Sequence, residues 1–149
     1  MITVVDASAA AEIGFNLSNA NKYKEILKKS TKVLAPDLFI SEITNVYWKY
    51  VIASQIDFEK AKLGIEYSIK SIDEFIDTQD IWNESLFEAI QQKHSVYDIM
   101  YVITARRNSA VLLTLDKKLK SICTKLKNQL PRSRAARYER FVNVSTQIM

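Results

Sequence analysis

Asp6, Glu42, Asp98 and Asp116 are the residues of this 149-residue chain whose type and placement suit chemistry. Asp6 closes the apolar run Ile2-Thr3-Val4-Val5, and Asp116 closes Ala110-Val111-Leu112-Leu113-Thr114-Leu115. Glu42 and Asp98 fall near the starts of stretches with helical character. In an open parallel sheet, ligands bind outside the carboxyl ends of the strands. Carboxylates meeting there form an oxygen-only pocket of the kind that holds Mg²⁺ or Mn²⁺. Such a pocket suits metal-dependent phosphodiester hydrolysis. Each acid also has a simpler account when taken alone. Asp6 and Asp116 can cap helices, Asp98 suits a helical first turn, and Glu42 can be a solvated charge. The four together, in one strand–helix order, argue for a shared site.

The elements that must position these acids alternate along the chain. Residues 2–5 read as a buried parallel strand, β-branched and apolar on both faces. A helix is expected from about Ser8, capped by its hydroxyl, and a more polar one over 19–29. Residues 33–35 read as a second strand, and Pro36 suits the first turn of a helix running to about Ala53. Its apolar positions Leu38, Phe39, Ile43, Val46, Tyr47, Tyr50 and Val51 keep helical spacing. A helix over Phe58 to Lys70, a short strand at 72–76 and a helix capped by Asp80 come next. Ser95 opens a helix to Arg107, which Asn108-Ser109 ends, asparagine tolerating the left-handed conformation. Residues 110–115 make the fourth strand, 117–127 a helix, and Phe141-Val142-Asn143-Val144 a final edge strand. Strands alternating with helices predict one α/β domain over residues 1–149, a parallel sheet flanked by helices.

Composition narrows the function. With 48% apolar and 26% charged residues, the chain can build a sizeable core. A net charge of +4 and a pI near 9.1 favour polyanionic partners. Cys123 is the single cysteine and His94 the single histidine, so neither an internal disulfide nor a Cys/His zinc site is available. His94 is expected to be structural or exposed. Gly14 and Gly64, the two glycines, cannot supply a glycine-rich nucleotide loop. A phosphoryl-receiver domain would want paired acids after the first strand, where Asp6 stands alone. No run of about eighteen apolar residues offers a membrane span. The apolar N-terminus lacks a basic leading segment and is interrupted by Asp6, so a cytoplasmic protein is expected.

Four segments carry a family resemblance: Val4-Val5-Asp6-Ala7-Ser8, Pro36 through Ser41-Glu42-Ile43-Thr44-Asn45, Ser95-Val96-Tyr97-Asp98-Ile99-Met100-Tyr101 with Ala105-Arg106, and Leu112-Leu113-Thr114-Leu115-Asp116-Lys117-Lys118-Leu119. In this order, over residues 2 to about 119, the chain resembles the PIN-domain ribonucleases, especially VapC-type toxins of toxin–antitoxin pairs. The resemblance implies a three-layer α/β/α fold and a Mg²⁺- or Mn²⁺-dependent endoribonuclease. Asp6, Glu42, Asp98 and Asp116 would be the metal-binding and catalytic acids, with Ser8, Thr114 and Asn45 as supporting polar residues. It further implies an RNA substrate, a cognate antitoxin and a homodimer.

Basic residues proposed to grip RNA are Arg106, Arg107, Lys117, Lys118, Lys120 and, in the tail, Arg132, Arg134 and Arg137. Tyr97 and Tyr101 can stack on bases or sit in the core, and Trp48 and Trp82 are expected in packing or in a partner groove. Lys117 and Lys118 stand where a fifth acid would follow Asp116, and the basic extension over 125–149 matches nothing in the resemblance. The competing reading is a non-catalytic PIN-fold module that binds nucleic acid or protein.

Overall fold

The computed structural model describes residues 1–128. The expected edge strand at Phe141–Val144 and the basic residues Arg132, Arg134 and Arg137 lie outside them. Among the described residues the chain alternates β1 (Ile2–Val5), α1 (Ala7–Gly14), α2 (Ala20–Lys28), β2 (Lys32–Pro36), α3 (Phe39–Ile52) and α4 (Phe58–Lys70). It continues with β3 (Glu74–Ile76), α5 (Thr78–Gln92), α6 (Val96–Arg107), β4 (Val111–Leu113) and α7 (Lys117–Lys127). The strands form one parallel sheet in the order β3-β2-β1-β4.

That order decides where a ligand can bind. From β1 the chain builds outward through β2 and β3, then returns to place β4 on the other side of β1. The reversal opens a crevice at the carboxyl ends of β1 and β4. β1 is central, and Thr3, Val4 and Val5 are buried. Helices cover both faces, giving three layers. On one side α1 packs with α2, α3 and α4; elsewhere α6 packs with α5 and α7 and on β1, β2 and β4. The core between them is dominated by Leu34, Phe39, Ile43, Ile81, Ile99, Tyr101, Ile103 and Leu119.

Several boundaries differ from the sequence expectation for local reasons. Pro36 ends β2, paired with Ile76, rather than opening α3. Pairing of β2 with β1 stops at Leu34, so the absent proline N–H costs that ladder nothing. Asp6, not Ser8, caps α1, accepting from the Ala9 amide at 2.9 Å. Asp77, not Asp80, caps α5, accepting from the Gln79 amide at 2.8 Å. Ser95 precedes α6 without a side-chain capping bond. After α6 the left-handed residue is Ser109 (φ 52°), not Asn108. β4 is three residues long because Thr114 and Leu115 already turn toward α7.

α3, which carries Glu42, is seated against α4 by Tyr47, whose ring is 2% exposed. Gly64 of α4 lies directly on that ring, where a Cβ would collide with Tyr47 Cε1, Cζ and Oη. Gly64→Ala should therefore lower the melting temperature, the overpacking of about 1–3 kcal/mol exceeding the helix-propensity gain of about 1 kcal/mol. Thermal denaturation by circular dichroism checks this, and a rise in melting temperature would contradict it.

Candidate active site

The crevice is held together by side-chain hydroxyls at the ends of β1 and β4. The Ser8 hydroxyl donates to Asp6 Oδ1 at 2.6 Å and accepts from the Leu115 amide at 3.1 Å. It thus ties the two strand ends to each other through the acid itself. The Asp6 amide adds a bond to the Leu113 carbonyl at 3.1 Å. Thr114, 1% exposed, accepts from the Asp116 amide at 3.0 Å through its hydroxyl, forming a tight turn. That turn delivers Asp116 as the cap of α7, with Oδ1 accepting from the Leu119 amide at 3.0 Å.

Glu42 and Asp98 come from the two helical layers. Glu42 lies in the first turn of α3, and the Tyr101 hydroxyl of α6 donates to its Oε2. Asp98 lies in the first turn of α6. Asp6 and Asp116 cap α1 and α7. All four acids therefore sit at helix N-termini, whose positive ends offset part of their mutual repulsion.

His94 joins them. α5 ends with Lys93 in the left-handed conformation (φ 51°), and the His94 amide bonds back to the Ala89 carbonyl at 3.1 Å. This reversal aims the imidazole at the crevice, with Nε2 3.5 Å from Asp98 Oδ2 and 3.8 Å from Asp116 Oδ2. Nε2 is buried and makes no hydrogen bond. One donor atom from each of His94, Asp98 and Asp116 lies within 4.8 Å of the other two, a spacing that can hold an ion. The sequence hint was the four-residue interval between His94 and Asp98. Its meaning depends on the left-handed Lys93, which no residue pattern announced.

Burial raises the Asp6 carboxyl above its ordinary range, against hydrogen bonds from Ser8, Thr114 and Ala9, and the Asp98 charge adds to the rise. Glu42 is raised by burial, opposed by the Tyr101 hydrogen bond, with Asp98 and Asp6 adding repulsion. Asp98 is raised by burial; His94 lowers it and Asp116 raises it. The Tyr101 hydroxyl is pushed far up by burial and by the charge of Glu42, so it stays protonated and donates. The acids thus repel one another across one crevice, a field that a cation relieves. A buried, orphaned imidazole nitrogen beside carboxylates is a donor set that fits a divalent ion.

The remaining expected residues are distributed differently. Asn45 is exposed on α3, one turn beyond Glu42. Lys117 and Lys118 are exposed in the first turn of α7, immediately after Asp116. Arg106 turns to α5, bonding Glu88 at 3.0 Å and pairing with Glu84. Arg107 pairs with Glu84 at 2.7 Å and donates to the Asp80 carbonyl at 2.9 Å. These arginines fasten α5 to α6, because Glu84 and Glu88 are spaced to share one helix face. Tyr101 is core, as one of its two readings had it, but its hydroxyl serves the site; Tyr97 is 66% exposed.

The acids gather at the switch point of a parallel sheet, a place suited to a bound cation. A PIN-domain family model matches residues 3–125, and the chain belongs to the PIN-domain family. The chain is also similar to the crystal structure of PAE2754 from Pyrobaculum aerophilum, with a TM-score of 0.67 and 24% identity over 82% of this chain and 84% of that one. That likeness establishes a shared fold. No curated protein matches the sequence. PIN domains are generally nucleases and usually use a divalent metal.

The raised carboxyls carry a consequence for stability. A carboxyl that binds its proton more tightly when folded contributes stability that is full below its unfolded pKa of about 4. That contribution is lost as pH rises through the folded values. Without metal, the melting temperature should therefore carry a component that falls as pH rises from about 4 toward neutrality. A divalent cation should recover it at neutral pH, and Asp98→Asn should diminish both effects. Melts in EDTA and in Mn²⁺ across pH test this; equal pH slopes and equal metal shifts in wild type and variant would refute it.

Proposed function

We propose that this protein is a metal-dependent endoribonuclease, the toxin of a type II toxin–antitoxin pair of VapC type. The observation that carries the reading is the group of carboxylates Asp6, Glu42, Asp98 and Asp116, three of which have their own hydrogen-bond support. Ser8 and Thr114 serve Asp6, Tyr101 serves Glu42, and Asp116 is fixed as a cap. Asp6, Glu42, Asp98 and Asp116 would hold Mg²⁺ or Mn²⁺, which supplies charge to a phosphate oxygen and activates water for in-line attack.

Lys117 and Lys118 support an RNA phosphate contact. α7 has no acidic residue in its first turn beyond the Asp116 cap, and placing two lysines there opposes the helix dipole. Such a placement makes sense where a phosphate enters beside Asp116. Asn45, exposed on the face that carries Glu42, is suited to a substrate hydrogen bond.

The partners follow from two apolar faces that the described residues leave uncovered. Trp82, Leu86 and Ile90 recur every four residues along α5, at 54%, 40% and 62% exposure. Ile40, Trp48 and Ile52 lie eight and four residues apart along α3, at 40%, 55% and 66% exposure. Side chains of this size on exposed stripes support binding of protein, here a second copy and an antitoxin. No helix among the described residues is long and apolar enough to cross a membrane, and an RNA substrate would place the work in the cytoplasm.

Purified protein should cut a cellular RNA pool into discrete fragments with Mg²⁺ or Mn²⁺. EDTA should abolish the cuts, and Asp98→Asn should reduce the rate by roughly a hundredfold or more. Metal binding without cleavage of any RNA would favour the alternative, a non-catalytic PIN-fold binding module. Tyr101→Phe keeps the buried ring and removes only the donor to Glu42. Its cleavage rate should fall about 10–100-fold with the circular dichroism spectrum unchanged; an unchanged rate would remove Tyr101 from the site.

A further inference from the structure

We propose that His94 is a nitrogen ligand to the ion in this crevice and biases the site toward Mn²⁺ over Mg²⁺. The inference rests on the nuclease reading and adds a residue and a metal preference to it.

His94 carries a buried polar atom, Nε2, that makes no hydrogen bond. It is the only histidine of the chain, and its side chain is 14% exposed. Burying an imidazole nitrogen unpaired is costly, so a built position of this kind implies a partner. The nearest oxygens, Asp98 Oδ2 at 3.5 Å and Asp116 Oδ2 at 3.8 Å, lie beyond good N–H···O range. Asp98 lies instead at the separation of two adjacent donors that share one ion, and a donor atom of Asp116 is within 4.8 Å of both. Ligands about 2.0–2.2 Å from a common metal stand roughly 3.0–3.6 Å apart when adjacent. The left-handed Lys93 and the His94 amide bond to Ala89 fix the chain where the ring must leave it.

The ligand type then sets the metal. Mg²⁺ prefers oxygen donors and retains its waters, whereas Mn²⁺ and the later divalent ions accept imidazole more readily. Asp98 and Asp116 alone would offer the ion only oxygen. With His94 added, the mixed nitrogen–oxygen set should hold Mn²⁺ more tightly.

A single histidine makes the test unambiguous. Full-length, untagged protein loaded with Mn²⁺ is examined by pulsed electron paramagnetic resonance, once unlabelled and once with ¹⁵N-histidine. Directly bound nitrogen should appear as a ¹⁴N coupling that converts to ¹⁵N on labelling. In His94→Leu the coupling should vanish, and Mn²⁺ affinity should fall at least about tenfold while Mg²⁺ affinity, read by competition, changes little. Mn²⁺ bound without any histidine coupling would overturn the ligand role and leave the nuclease reading standing. Failure of Mn²⁺ to bind at a site sensitive to Asp98→Asn would bring down both. Should His94→Leu fail to fold, the labelling comparison on wild type still decides.

Discussion

Four carboxylates placed in one crevice must be kept there against their own repulsion, and most of the local architecture answers that constraint. The Ser8 hydroxyl is the centre of the answer, since it donates to Asp6 and accepts from the Leu115 amide. One side chain thereby joins an acid to the strand end that delivers the next acid. Thr114 repeats the device a few residues on, through the Asp116 amide. The remaining repulsion is spread over four helix N-termini, each presenting its positive end to a carboxylate. The sheet order makes this convergence possible, because only beside β1 do strands from both halves of the chain meet.

Positive charge is divided in the same economical way. Arg106 and Arg107 neutralise Glu84 and Glu88 and lock α5 to α6, so that Asp98 and Tyr101 stand on a braced helix. Lys117 and Lys118 stay exposed beside Asp116. Guanidinium groups with several donors suit the multiple-contact clamp, and ammonium groups on flexible stems suit a mobile polyanion.

Much of this was legible from residues. The β-branched run before Asp6 and the apolar periodicity of α3 and α4 identified their elements, and the order of the four acids pointed to the crevice. Pro36 misled because proline suits both a helix start and a strand end, and only the pairing partners decide between them. Asp80 read as the cap of the helix after β3, and the backbone gives that place to Asp77, three residues earlier. Arg106 read as a ligand for phosphate because its partners Glu84 and Glu88 lie on another helix. His94 stayed hidden for a related reason: a reversal at Lys93, of a residue type that seldom adopts positive φ, carries it to the acids.

The bond between Ser8 and Leu115 spans 107 residues of chain, and that span bears on the order of events during synthesis. Contacts so distant in sequence close late, because the loop entropy must be overcome before they contribute. Asp6 is made well before the residues after β4 that brace it, and before Asp116. A growing chain therefore holds an incomplete crevice until β4 and α7 have been made. Assembly of the crevice waits on the segment that carries Leu115 and Asp116.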